Sequence, residues 1–393
     1  MKTVIEFIRP LVLIVLLQTG FVASTLAQSV SIPDPGLNAA IREALQIPNG
    51  PLTQQDLLSL INLDASSREV SNVEGLEAAR NLERLFLDSN RLTNFSLPPA
   101  LTNLTELNLN SNPLTNCSLP GGLANLETLS IEFGPLTRLT LPTGLTGLTE
   151  LDLGVNSLTS FTLPADATNL IGLRLFFNQL TNLTLPPGLT RLVALDLDGN
   201  RLTHLTLPSD MTRLGSLLLR DNLLRDFILP SGLSRLSFLG LDGNQLTQFI
   251  FPAGLTNLSS VGLMGNLLTN LTLPPDLTQL QSIFVGGNPF TTLVLSELQA
   301  ATKLAGTVAF LRNQGISVFT YPLAVRLLSP RRTAAGAFEI AFTGPPGVYA
   351  VFASTNLIAW SNLGSTTNKF GTGLFTDREA NLSPQKFYRV RSP

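Results

Sequence analysis

The sequence predicts an α/β-solenoid of mostly β-strands and turns, with a parallel sheet on its concave face. Helical caps close it, and a small C-terminal all-β sandwich follows. Three observations lead there: a 22-residue period through the middle of the chain, helix-start signals on both sides of it, and short alternating runs after it.

The period comes first. Segments such as "LFLDSNRLTNFSLP", "LNLNSNPLTNCSLP" and "LDLDGNRLTHLTLP" superimpose without gaps. Their asparagines are Asn90, Asn112, Asn156, Asn178, Asn200, Asn222, Asn244, Asn266 and Asn288, and Gly134 takes that position in the single interruption. Within "xLxLx" alternate side chains point to opposite faces, so the leucines enter a core while their neighbours line one side of a sheet. A buried asparagine can donate its amide to backbone groups at the bend, so the coil with Gly134 is expected to hold its turn less well. Threonine and proline recur in the second half of each unit ("LTNLTLP") and disfavour a full helix there. No coil buries its leucines alone; stability comes from stacking.

The unit LxxLxLxxNxLTxLxLPxxL resembles the leucine-rich repeat, and ten copies stand in register over residues 82–295. Residues 28–81 read as an N-terminal helical cap with a degenerate first repeat. Asp34 is placed to cap a helix that opens on Pro35, with Leu37, Ala40, Ile41, Ala44 and Leu45 as its apolar stripe, and Thr53 and Asp56 are spaced as a capping box. This region is similar to the cap of secreted bacterial proteins of the internalin type, whose repeats lack the threonine-and-proline half seen here. Residues 296–320 read as a single cap helix and a strand, opened by Ser296 and Gln299, with Leu298, Leu304, Val308 and Leu311 turned to the core and Gly315 as the stop.

Residues 321–393 lose the period. "AFEIAFTG", "GVYAVFAST" and "KFYRVRS" are alternating runs between turn residues, as in a small β-sandwich. The stretch resembles a C-terminal module of secreted proteins from Verrucomicrobia-like bacteria. Trp360 and Tyr349 are read mainly as core, with a sugar-binding role as the alternative.

Residues 1–27 read as an export signal: Lys2 and Arg9 precede the apolar run "LVLIVLL", and small residues lead to a cut after Ala27. That run is short for a bilayer span. The expectation is an exported protein, secreted or at the cell surface, with no membrane span once the signal is removed.

Chemistry is sparse. "DLDGN" resembles the start of a calcium loop, but the same slots hold Leu218, Arg220 and Asp221 one coil later, and the twelfth position is Leu207. His204, the one histidine, occupies a variable outward slot, and Cys117, the one cysteine, replaces a core hydrophobe. The expectation is no catalytic, metal or cofactor site and no enzyme activity. A net charge of −2 favours no nucleic-acid partner.

What remains is recognition of a protein or peptide by the residues that alternate with the strand leucines. Asp152, Arg174 and Asp196 form a charge ladder in one column, beside Asp198, Arg220 and Asp242 in the next. Phe176, Phe177, Leu218 and Phe238 add large apolar groups, a composition typical of binding hot spots. Gly240, Gly262 and Gly286 imply a flatter surface towards the C-terminal end. The competing expectation is a structural spacer whose tail domain makes the functional contact, to envelope material or glycan.

Overall fold

The computed structural model describes residues 28–382 and 385–392; the expected export signal at 1–27 lies outside them. Eleven three-residue strands form one parallel sheet in strict chain order, from Asn62–Asp64 to Ser282–Phe284. The register advances by one repeat per strand, pairing Leu151 with Leu173 and Leu173 with Leu195. These leucines are almost wholly buried, in one continuous core from Ile32 to Leu311. The opposite side is extended, with short parallel pairings at Asn94–Ser96 with Asn116–Ser118, and at Asn270–Thr272 with Thr292–Ser296. The solenoid architecture is as the period requires.

The asparagines hold the coils together. In Asn178, Nδ2 donates to the carbonyls of Leu153, Leu175 and Phe176 at 2.9, 3.1 and 3.3 Å, and Oδ1 accepts from the Leu158 amide at 2.9 Å. Each side chain therefore closes its own bend and ties it to the coil before. Asn288, on the last coil, is only half-buried, whereas the other eight are buried. At Gly134 the backbone compensates in part, its own amide reaching the Val155 carbonyl at 3.1 Å. The amide of Leu114, which an asparagine at 134 would receive, loses that acceptor; the cost falls one coil back from the interruption.

Both ends are capped. Helix α1 (Pro35–Leu45) has Asp34 as N-cap, accepting from the Leu37 amide at 3.0 Å, and α2 (Gln54–Leu58) carries the Thr53–Asp56 capping box. Ala44 is exposed, so the buried stripe of α1 is Leu37, Ala40 and Ile41. At the far end the single expected helix is two, α3 (Glu297–Ala301) and α4 (Ala305–Asn313), broken at Thr302. The reason is phase. Gln299 is buried and donates to the Leu277 carbonyl at 2.9 Å, while Leu304 is also fully buried. Five residues apart, these two cannot share one helix face. Burying Gln299 also turns Leu298 outward, 60% exposed, against the expected core contact.

The last solenoid strand, Ser317–Tyr321, pairs parallel with Thr292–Ser296. Beyond it lie two antiparallel sheets, built around Phe338–Thr343 and Gly347–Ser354. They are joined to the solenoid by Phe370, whose ring stacks on Phe319 at 4.9 Å, while the Tyr321 hydroxyl anchors the last solenoid strand itself, donating to the Leu273 carbonyl at 2.6 Å. Tyr349 is core, packed on Phe342. Trp360 is not: it is half-exposed, with the Arg389 guanidinium 4.8 Å from its ring.

Candidate partner-binding face

Every strand presents two outward residues, and a third outward position follows the second strand leucine. The sequence picked out the second and third columns. The structure adds the first, which runs Glu150, Gly172, Ala194, Ser216, Phe238 in register. Phe238 therefore lies beside the charge columns rather than within them.

Glu150 matters because it takes the arginine. Arg174 Nη1 lies 3.1 Å from Glu150 Oε2 and 3.8 Å from Asp152 Oδ2. The expected Asp152–Arg174–Asp196 ladder is thus biased to one side, with the guanidinium drawn towards Glu150 and away from Asp196. A signal for this existed in the sequence: Gly172 follows Glu150 in the same column, and a Cβ there would overlap the Glu150 carboxylate.

One column over, Arg220 Nε sits 3.8 Å from Asp198 and 3.7 Å from Asp242, with its guanidinium 5.1 Å from the Phe238 ring centre. Asp198 and Asp242 each direct one oxygen to the backbone of the next coil, at 2.6 Å to the Arg220 amide and 2.8 Å to the Met264 amide. Half of each carboxylate is thus structural. The flat C-terminal surface expected from Gly240 and Gly262 is not found: Arg220 lies over the first and Asp242 over the second, and only Gly286 is open.

These side chains are half-buried between neighbours, and desolvation shows in their ionisation. Burial pushes Asp198 up to about 6, against the opposing hydrogen bond from the Arg220 amide. Burial raises Asp196 and Asp152 as well. Glu132, in the third column, is pushed up to about 7 by burial and by the adjacent Asp152 charge.

The aromatic residues divide between two places. The Phe176 ring lies across Gly154, where any Cβ would overlap it, and Leu218 is half-buried in the sheet column. Phe177 is not on the sheet. It occupies the turn just before Asn178, at φ 49°, and meets Phe176 edge-on at 5.9 Å. Phe133 and Val155 hold the same turn position in the two preceding coils, at φ 57° and 51°. Phe133 and Phe177 are 55% and 59% exposed, so three successive coils build an apolar rim along one edge of the sheet. Alternation did not reveal this rim, because the turn breaks the two-residue period; the run Phe133, Val155, Phe177 at 22-residue spacing was the available signal.

The residues set aside in the sequence behave as scaffold. His204 is exposed on the extended side, its ring 3.1 Å from Thr203. Cys117 is half-buried rather than buried, and desolvation pushes its thiol up to about 12. Among the described residues, no group of three His, Cys, Asp or Glu is placed to hold a metal ion. No helix among them is long and apolar enough to cross a membrane.

Comparison with known proteins agrees with the architecture. Residues 82–179 and 153–261 match the BspA-type leucine-rich-repeat region, in six copies. No curated protein matches the chain. The functional domain of InlJ from Listeria monocytogenes, which includes a cysteine ladder, is 19% identical with a TM-score of 0.53, over 81% of this chain and 97% of that one. The internalin inlF of the same organism is 23% identical with a TM-score of 0.48, over 72% and 97%. TLR13, in its complex with ssRNA13, is 24% identical with a TM-score of 0.50, over 67% of this chain and 46% of that one. At these identities the likeness is one of fold.

Proposed function

From the premise that this chain is a leucine-rich-repeat protein, we propose that it is an exported, non-enzymatic recognition protein. Its partner is a protein or peptide, bound on the concave face between the coils of Glu132 and Asp242. The observation that supports this most is the apolar rim. This turn is left-handed throughout the array and elsewhere holds serine, aspartate or glycine (Ser89, Ser111, Gly199, Asp221, Gly243, Gly265, Gly287), whereas Phe133, Val155 and Phe177 put larger apolar side chains there. Large side chains in that region cost stability, and strain of this kind gathers at binding sites. The neighbouring Phe176, Leu218, Arg174 and Arg220 have the composition of a hot spot. Fold alone does not give function; the export signal expected at 1–27 and the resemblance of the cap to internalins support placement outside the cytoplasm.

The test is a comparative capture from surface and culture extracts. One bait is residues 28–393, the other the same protein with Arg174, Phe176 and Phe177 changed to serine. A partner retained by the first and lost by the second is the expected result. Equal capture by both sinks the concave-face reading.

A second reading places the contact in the tail. It is favoured by the loop of Leu357 and Ile358, 56% and 86% exposed beside Trp360. Arg389 already occupies one face of that indole, which leaves less of it for a sugar ring. On this reading the serine variant captures the same material as the parent.

A further inference from the structure

We propose, resting on the concave-face reading above, that the partner offers a lysine or arginine side chain to the Glu132–Asp152 carboxylate pair beside the Phe176 ring. Three observations lead there.

The first is unequal pairing. Glu132 stands two residues beyond Ser130, the register partner of Asp152 on the next strand, and the two carboxyl groups are hydrogen-bonded to each other. The nearest cation, Arg174, is drawn to Glu150 at 3.1 Å and stands 3.8 Å from Asp152. Among the described residues no ion pair reaches Glu132; its carboxyl group is hydrogen-bonded with Asp152 and accepts from Asn110 Nδ2 at 3.4 Å, and neither partner is a cation.

The second is charge balance over the face. From Glu132 to Asp242 the three columns hold six carboxylates (Glu132, Glu150, Asp152, Asp196, Asp198, Asp242) against two arginines, Arg174 and Arg220. That is a formal −4 on a chain whose total is −2, so the remainder of the molecule is net positive. A basic segment complements this face, and an anionic one is repelled by it.

The third is the ring. Glu132, Gly154 and Phe176 succeed one another in the third column, and Phe176 leans over Gly154 towards the coil of Glu132. An aromatic ring beside an under-compensated carboxylate pair is the arrangement that holds an ammonium or guanidinium group, by charge on one side and ring quadrupole on the other. The exposed Phe133 and Phe177 offer apolar contact to the residues flanking that cation.

The test uses the full chain and two labelled twelve-residue peptides, one alternating lysine with serine around a central phenylalanine, the other with glutamate in place of lysine. Binding is read by fluorescence anisotropy at pH 8.0 and 5.5, for the parent and for the Glu132→Gln, Asp152→Asn double variant. The double variant relieves a like-charge pair, and circular dichroism checks that it folds. The lysine peptide is expected to bind the parent at pH 8.0. Its affinity should fall at least tenfold at pH 5.5, where Glu132 takes up a proton, and at least tenfold in the double variant. The glutamate peptide should not bind. Equal affinity for both peptides, no binding of the lysine peptide, or indifference to the double variant would each overturn the proposal. So would calcium displacing the peptide at micromolar concentration, which assigns the pair to a metal. The two readings fail separately. Loss of a captured partner in the serine variant, without lysine-peptide binding, removes only the cationic chemistry; lysine-peptide binding that protects amides outside residues 128–242 removes the concave face itself.

Discussion

Phe177 shows the balance between stability and recognition in a single residue. Its backbone sits at φ 49° and its ring is 59% exposed, so little burial offsets a left-handed conformation costing about 1–2 kcal/mol. Asparagine tolerates that region and adds less unfolded-state freedom than glycine. Phe177→Asn is therefore expected to raise stability by about 0.5–1 kcal/mol in urea unfolding, while weakening partner capture; a destabilised variant that captures normally would mean the ring is scaffold. Asp198 makes a pH-dependent case. Its folded value, about 6, lies above the ordinary 3.8, so its contribution is full below about pH 4 and is lost as pH rises through 6. Asp198→Asn keeps the acceptor for the Arg220 amide. It should flatten the fall in stability between pH 4 and 7 and gain about 1 kcal/mol at pH 7 after allowance for solvent screening; an unchanged pH profile contradicts this. The columns themselves were legible because two periods, of 2 and 22, fix which residues face outward. Glu150 and the rim were not, because one lies at a strand's first position and the other at a turn, where neither alternation nor leucine spacing says which way a side chain leans.

At the scale of the coil, the asparagine sets stability and its position sets how much. Asn178 satisfies three carbonyls and one amide in a buried bend, and removing it strands groups that each cost about 1–3 kcal/mol when unpaired and dry. Asn178→Ala is expected to cost roughly 3 kcal/mol, and Asn288→Ala, half-buried at the open end of the array, about 1 kcal/mol. Equal losses in thermal unfolding would show that the ladder is not graded by burial. Strand order followed from the repeat alone, since each coil can stack only on its neighbours. The helix starts were legible too, because Asp34, Thr53 and Ser296 cap them by short-range chemistry. The break at Thr302 was not. It depends on Gln299 being buried against the Leu277 carbonyl, a contact from another coil that no local pattern encodes.

Over the whole molecule, an acidic, partly aromatic stretch of concave sheet lies between two capped ends, and the tail is tied on through Phe370 stacked on Phe319. The sequence announced the solenoid and a β-rich tail because both rest on repeated patterns. How the tail attaches was hidden, since it depends on single long-range contacts such as Phe370 stacked on Phe319. The central claim is that recognition belongs to the middle coils and not to the tail. Hydrogen exchange of the chain with and without its captured partner tests that claim most directly. The account predicts slowed exchange from about residue 128 to 242, including the turns of Phe133, Val155 and Phe177, with residues 355–361 unchanged. Protection confined to 355–361, with the concave strands exchanging as before, would contradict it.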